Sequence, residues 1–224
     1  MENGRLGIME NYIKEITKDL EPNWIQKVIE CRDKTIEAGK AGPNFDKIAK
    51  GASWARLEDC LMVYAMVRYY KPHAILEIGT YIGTVTNVMM QAMFDNGSRT
   101  GIIYTIDKNN VYVPLEEYKG NVVYYNNIST KIVKRLKHNH VTIDFCFVDA
   151  GLKDDDARMI KKMMKNGVVF VTHDYKDGEK GVRNVEQMVK VCEDSKVYKP
   201  NMQGVGYDVG FGVNINSSVG VLIE

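Results

Sequence analysis

The chain has 224 residues, of which 45% are hydrophobic and 26% charged, and its formal net charge is +1. That is room for one domain with a sizeable core, and so even a charge balance gives no electrostatic case for a nucleic-acid or membrane partner. No segment is long and apolar enough to span a bilayer, and the first residues lack the charged start and long apolar middle of a signal peptide.

The first 52 residues read as a helical extension or lid. Ile13, Ile16 and Leu20 share one helical face, Trp24, Val28 and Cys31 mark a second amphipathic stretch, and Gly42-Pro43 breaks the pattern. A third helix is expected over 53–70, with Leu57, Leu61, Tyr64 and Ala65 at helical spacing and Lys71-Pro72 as its stop. Residues 53–224 then form the main domain, in which strands and helices alternate. Strands are expected at 74–78, 101–106, 121–125, 143–148, 168–172, 196–198 and 219–223. Helices are expected at 84–95, 130–138, 154–165 and 180–193. The first strands are nearly continuous apolar runs, which implies a sheet covered on both faces. Repeated β-α units predict an α/β fold, doubly wound, with a seven-stranded, mostly parallel sheet. The glycine-rich stretch 204–218 is expected to be a hairpin turn or a flap. Cys31, Cys60, Cys146 and Cys192 form no C-x-x-C pair and no zinc-like spacing with a histidine. They read as reduced, buried thiols of a cytoplasmic protein.

The most informative segment is Ala74 to Thr84, AILEIGTYIGT. An apolar strand meets Glu77, then Gly79 and Gly83, then an apolar helix. Glycines let a backbone approach a ligand closely, and a helix N-terminus offers free N–H groups. The spacing is E-x-G-x-x-x-G and not the dinucleotide fingerprint G-x-G-x-x-G. The following strands end in polar residues as well: Asp107, then Asn126, Asn127 and Ser129, then Asp149, then His173-Asp174. Parallel neighbours bring such ends to one rim. Two subsites follow. In the first, Gly79, Tyr81, Gly83, Asp107 and Ser129 surround a carboxylate able to accept two ribose hydroxyls. Ser129 could also cap the helix it begins. In the second, Asp149, His173 and Asp174 suit either a divalent cation or an acid–base pair.

In the order LEIGTYIG, TID, NNIS, FVDA and THDY, residues 53–224 resemble the class I S-adenosylmethionine-dependent methyltransferases. The likeness is greatest to the metal-dependent small-molecule O-methyltransferases, of catechol and caffeoyl-CoA type, and to the macrocin-type sugar O-methyltransferases. The resemblance implies methyl transfer from S-adenosyl-L-methionine to a hydroxyl of a small molecule, assisted by a divalent cation such as Mg2+ or Mn2+. It implies a cofactor site of Glu77, Gly79, Tyr81, Gly83, Asp107, Ile128, Ser129 and Asp149. Glu77, Gly79 and Tyr81 would line the methionine and ribose part, and Ile128 and Ser129 would contact adenine. Asp149, His173 and Asp174 would take the metal positions, with a histidine where the family has an acid. The family's base often stands three residues after the first metal aspartate, which here is Leu152. The catalytic residue is therefore expected to be Lys153, one place on, or His173, the third alternative being that metal coordination alone deprotonates the acceptor. Metal-independent N-methylation, and a non-catalytic cofactor-binding domain that has lost its base, are the alternatives. Trp54 and Tyr175 are expected to pack rather than to gate, Arg183 to answer Glu186, and the basic run 131–140 to be the wet face of a helix. No nucleic-acid or membrane partner is expected, and the amphipathic N-terminal helices point to a homodimer.

Overall fold

The computed structural model describes residues 11–41, 55–109, 111–164, 169–175, 180–192, 196–198, 207–208, 214–215 and 220–223. Trp54, most of the glycine-rich stretch and the start of the third helix lie outside them. Residues 11–17 form helix α1, followed by α2 (Trp24–Lys40) and α3 (Leu57–Tyr70). Then come β1 (Ala74–Ile78), α4 (Thr84–Asp95), β2 (Ile102–Asp107), β3 (Val122–Asn126), α5 (Ser129–His138), β4 (Phe145–Val148) and α6 (Asp154–Met163). The chain continues through β5 (Val169–Thr172), α7 (Lys180–Val189), β6 (Lys196–Tyr198), β7 (Tyr207–Asp208), β8 (Asn214–Ile215) and β9 (Gly220–Ile223).

Seven strands form one sheet in the order β3-β2-β1-β4-β5-β9-β6. All neighbours pair in parallel except β9, which runs against both β5 and β6. This is the doubly wound α/β sheet that the strand-helix alternation predicts. β7 and β8 pair antiparallel within the glycine-rich stretch. The strand order reverses at β1, which lies between β2 and β4. Ligand crevices of doubly wound sheets open at such a point.

Side chains of the central strands alternate between two cores. Ile75, Ile103, Phe145, Phe147 and Val171 point to one face, into a cluster with α1 to α4. Leu76, Ile78, Cys146, Val148 and Phe170 point to the other, against α5, α6 and α7. Both faces are covered, so the strands can be apolar throughout. All four cysteines are buried. Met89, Met90 and Met93 of α4 are fully buried in the first cluster, and Tyr175 packs in the second. The basic run of α5 is its outer face, with Ile132, Val133 and Leu136 turned inward.

Some boundaries differ from expectation for local reasons. β4 starts at Phe145 rather than 143, because the Asp144 carboxylate accepts the backbone N–H groups of His73 and Ala74 at 2.9 and 3.0 Å and turns the chain there. Ile143 makes an isolated bridge to Met164. α6 stops at Met163 because Met164 is already extended.

The N-terminal helices share the main core. Trp24 is fully buried and stacks on Tyr64 of α3 with ring centroids 5.9 Å apart. Asn87 of α4 donates to the hydroxyl of Thr35 in α2 at 3.1 Å. Gly39 of α2 sits so close to Ile82 that an added Cβ would lie 3.1 Å from its Cδ1. α2 thus backs the turn that follows β1. Truncating a buried tryptophan costs about 3–5 kcal/mol. Trp24→Ala is therefore expected to lower the unfolding free energy by about that amount, within one cooperative denaturation transition of the whole chain. An unchanged main transition would mean that the extension packs independently.

Candidate functional site

The turn after β1 is built by three residues in the left-handed region: Gly79 at φ 101°, Tyr81 at φ 50° and Gly83 at φ 92°. A Cβ on Gly79 would stand 2.9 Å from the backbone carbonyl carbon and oxygen of Asp149, so only glycine lets the ends of β1 and β4 come this close. Gly79 N–H donates to Ile106 C=O and Asp149 N–H to Ile78 C=O, each at 2.8 Å, which carries the sheet ladder one residue past the strands on both sides. Gly83 is covered by the Tyr112 ring, which fills the space a side chain would need. The turn is closed by Asp107 at the end of β2. One of its carboxylate oxygens accepts the Tyr81 N–H at 2.8 Å and the other the Asn109 N–H at 2.8 Å. Each oxygen keeps a lone pair for a further donor.

Glu77, expected on the cofactor wall, is wholly buried behind it. One carboxylate oxygen accepts the hydroxyls of Thr86 and Thr105, each at 2.5 Å, and the other has no partner. Burial pushes its pKa up to about 8 against the hydroxyl bonds that lower it, with the charges of Asp149 and Asp107 adding to the rise. The side chain ties β1 to β2 and α4.

A cavity of about 600 Å³ opens at the carboxyl ends of the strands. Of the residues expected at the site, Gly79, Asp107, Ile128, Ser129, Asp149 and Lys153 line it. Ile128 is 58% exposed, an uncovered apolar side chain on the cavity rim. Ser129 is the first residue of α5, and its hydroxyl, with that of Thr130, donates to the buried carboxylate of Asp156 at 3.2 Å. That bond ties α5 to α6 rather than capping its own helix. Lys153 is exposed in the loop before α6. Leu152 packs against the second core cluster, its N–H donating to Asn184 Oδ1 at 2.8 Å. Asn184 in turn donates to Ala150 C=O at 2.8 Å and to the Thr172 hydroxyl at 3.1 Å, which pins the loop after β4 to β5 and α7.

Beside the cavity lies a compact ionic cluster. His173 Nδ1 is 3.1 Å from Asp149 Oδ1 and 3.0 Å from Asp174 Oδ1. Its Nε2 is 2.9 Å from Asp59 Oδ2. Asp59, on α3, has no exposed surface and also takes the Arg56 guanidinium at 3.0 Å. Lys180, the first residue of α7, places its ammonium 2.8 Å from Asp149 Oδ1 and 3.1 Å from Asp174 Oδ2. Burial alone would lower the His173 pKa, but hydrogen bonds and charge from Asp149 and Asp59 raise it to about 10. The imidazole is therefore cationic at neutral pH. Burial would raise Asp149 and Asp59, yet their cationic partners hold both below the usual carboxylate range. Burial would lower Lys180, and its two carboxylates raise it instead. Asp174 is left-handed at φ 54°. Gly181 is packed on it, since a Cβ there would stand 2.4 Å from the His173 carbonyl oxygen.

The architecture has solved counterparts. The chain is similar to an O-methyltransferase, TomG from Streptomyces achromogenes, crystallised with S-adenosylmethionine, at 17% identity and TM-score 0.57 over 84% of this chain and 87% of that one. It is similar to an O-methyltransferase from Bacillus cereus in complex with S-adenosylhomocysteine at 12% identity and TM-score 0.60, over 87% and 89% of the two chains. It is also similar to a putative O-methyltransferase from Klebsiella pneumoniae at 14% identity and TM-score 0.54, over 96% and 94%. The fold is that of the class I methyltransferases. In sequence, the family described as a methyltransferase domain matches residues 76–175, from within β1 to the residue after His173-Asp174. No curated protein sequence matches the chain.

Three residues of this site escape the motif reading: Asp59, Lys180 and Asn184. Asp59 carried one signal, an acid in the otherwise apolar helix LEDCLMVYAM, three residues after Arg56. Lys180 and Asn184 stand on either side of Gly181-Val182-Arg183 at the start of α7, and no local pattern singles them out.

The Glu77 shift has a stability consequence. An acid whose folded-state pKa is raised contributes most below its ordinary value of 4.5, and the contribution is lost as pH rises through about 8. The unfolding free energy is expected to fall across that window, and Glu77→Gln, which keeps an acceptor for Thr86 and Thr105, is expected to flatten the slope. Denaturant titrations of both proteins across the window provide the check.

Proposed function

We propose that this chain transfers a methyl group from S-adenosylmethionine to a hydroxyl oxygen of a small molecule. The observation that carries the reading is the meeting of the Gly79 turn, the Asp107 carboxylate and Asp149 on one cavity at the switch point of the sheet. The donor set suits the cofactor. Asp107 keeps acceptor capacity for ribose hydroxyls, Gly79 leaves the backbone bare, and Ile128 offers an apolar edge to adenine. When bound, the cofactor supplies a sulfonium-activated methyl group. The chain's own part is chiefly positioning and exclusion of water, which suits a donor that is already reactive.

Lys153 and His173 were the two residues expected to serve as base. His173 is cationic and has carboxylates at both ring nitrogens, so it holds the cluster together rather than taking a proton. Lys153, on the cavity lining, remains the base in this reading. Metal assistance has one observation in its favour: ligand atoms of Asp149, His173 and Asp174 lie within 4.8 Å of one another. Against it stands Lys180, whose ammonium is among them. A non-catalytic cofactor-binding domain is favoured by Leu152 at the base position and by its backbone tether to Asn184.

Calorimetric titration with S-adenosylmethionine and S-adenosylhomocysteine tests the cofactor. Micromolar binding is expected, weakened roughly tenfold or more in Asp107→Ala, which corresponds to about 1.4 kcal/mol. No heat with either ligand would end the reading. If binding occurs, release of S-adenosylhomocysteine in the presence of a panel of phenols and sugars separates the enzyme from the binding domain. Lys153→Ala is expected to reduce turnover while sparing cofactor affinity.

A further inference from the structure

The acids of the ionic cluster beside the cavity already have basic side chains against them. Asp59, Asp149 and Asp174 face Arg56, His173 and Lys180. The ammonium of Lys180 has three protons to donate. Its three acceptors are Asp149 Oδ1 at 2.8 Å, Asp149 C=O at 2.9 Å and Asp174 Oδ2 at 3.1 Å. It bridges the two acids from which a divalent ion would be held.

We propose that Lys180 is a built-in cation that fills this site, so that the chain does not take up a divalent metal between Asp149, His173 and Asp174. The inference deepens the methyltransferase reading and rests on it for the role of the site, but not for its test.

Geometry and charge agree. A Mg2+ ion sits about 2.0–2.1 Å from its oxygen ligands. Bound to Asp149 Oδ1 and Asp174 Oδ2, it would claim the same two oxygens that the ammonium holds, and two positive charges would compete for one position. The imidazole by itself is oriented as a metal ligand would be, with its other nitrogen held by a carboxylate, so it is the ammonium that occupies the position. Nδ1 faces both aspartates that a metal would use, and Nε2 is engaged by the buried Asp59. The lysine is also delivered by the fold rather than by a free side chain. Gly181 permits the start of α7 to press on the His173-Asp174 backbone, where its own N–H donates to Asp174 C=O at 3.2 Å. Lys180 therefore begins its helix next to the two acids. The ammonium would keep Asp149 oriented and neutralised at the edge of the cavity, which is the electrostatic part of what a metal does.

The test measures Mn2+ binding to the chelator-treated, full-length protein by electron paramagnetic resonance, alongside S-adenosylhomocysteine binding by calorimetry. Wild type is expected to show no saturable Mn2+ uptake. Lys180→Ala and Lys180→Gln are each expected to gain one saturable Mn2+ site per chain. Adding Asp149→Asn to either variant should remove it. Two variants are used because the smaller side chain could loosen α7, and thermal melting reports that directly. Saturable Mn2+ binding to wild type that Asp149→Asn abolishes would overturn the proposal. So would folded Lys180 variants that bind no Mn2+, because the lysine would then not be what keeps the ion out. Failure of S-adenosylhomocysteine to bind would count against the methyltransferase reading alone, since the Mn2+ result stands apart from it.

Discussion

Everything at this site depends on one close approach, that of Gly79 to the backbone of Asp149. β1 and β4 are neighbours only because the strand order reverses at β1, and their ends meet only because residue 79 has no side chain. A Cβ at Gly79 would fall 2.9 Å from the Asp149 carbonyl group, and the two ladder bonds that extend the sheet past Ile78 and Val148 would be lost with it. The cavity has its floor there, with Asp107 on one side and the ionic cluster on the other. The parallel register does the rest. Ile78 pairs with Ile106 and with Val148, and Val148 pairs with Thr172. Asp107, Asp149 and His173, each the last residue of its strand or the next one on, are therefore level on one rim.

The buried charges follow two rules. Glu77 is isolated from any cation, and its environment favours the neutral acid. The aspartates around His173 are surrounded by cations, and their environment favours the charged form. Both arrangements avoid a naked charge in a dry interior, by protonation in one case and by pairing in the other. The same sheet edge thus holds an acid poised near neutrality and, next to it, a cluster that stays ionic. In the cluster, Asp59 comes from a helix before the first strand and Lys180 from a helix after the fifth, so the ion pairs also tie α3 to the far half of the sheet.

The helical extension is integral to this arrangement. α2 packs on α3 and α4 through Trp24, Val28 and Cys31, touches the glycine turn at Gly39 and Ile82, and bonds α4 through Thr35 and Asn87. α3 carries Arg56 and Asp59 to the cluster. The turn is therefore supported from behind by residues that precede the sheet in sequence.

The sequence alone determined the elements and the rim. Apolar runs ending in Glu77-Ile78-Gly79, Asp107, Asp149 and His173-Asp174 encode strands whose polar ends converge, because parallel neighbours must finish on the same side. A tight turn with close backbone approach was legible at Gly79 and Gly83, because glycine lacks the Cβ that would prevent it. Tertiary structure alone decided where each side chain pointed. Glu77 sits at a strand position that could face cavity or core, and the hydroxyls of Thr86 and Thr105, from different elements, drew it inward. Ser129 reads as a cap until Asp156 is placed opposite it. Asp59 and Lys180 are 121 positions apart in the numbering, and no local pattern links an acid in one helix with a lysine at the start of another. Their meeting at His173 depends on the packing of α3 and α7 around the sheet. Pairwise electrostatics of that kind is a property of distance in space, which a sequence expresses only after it has folded.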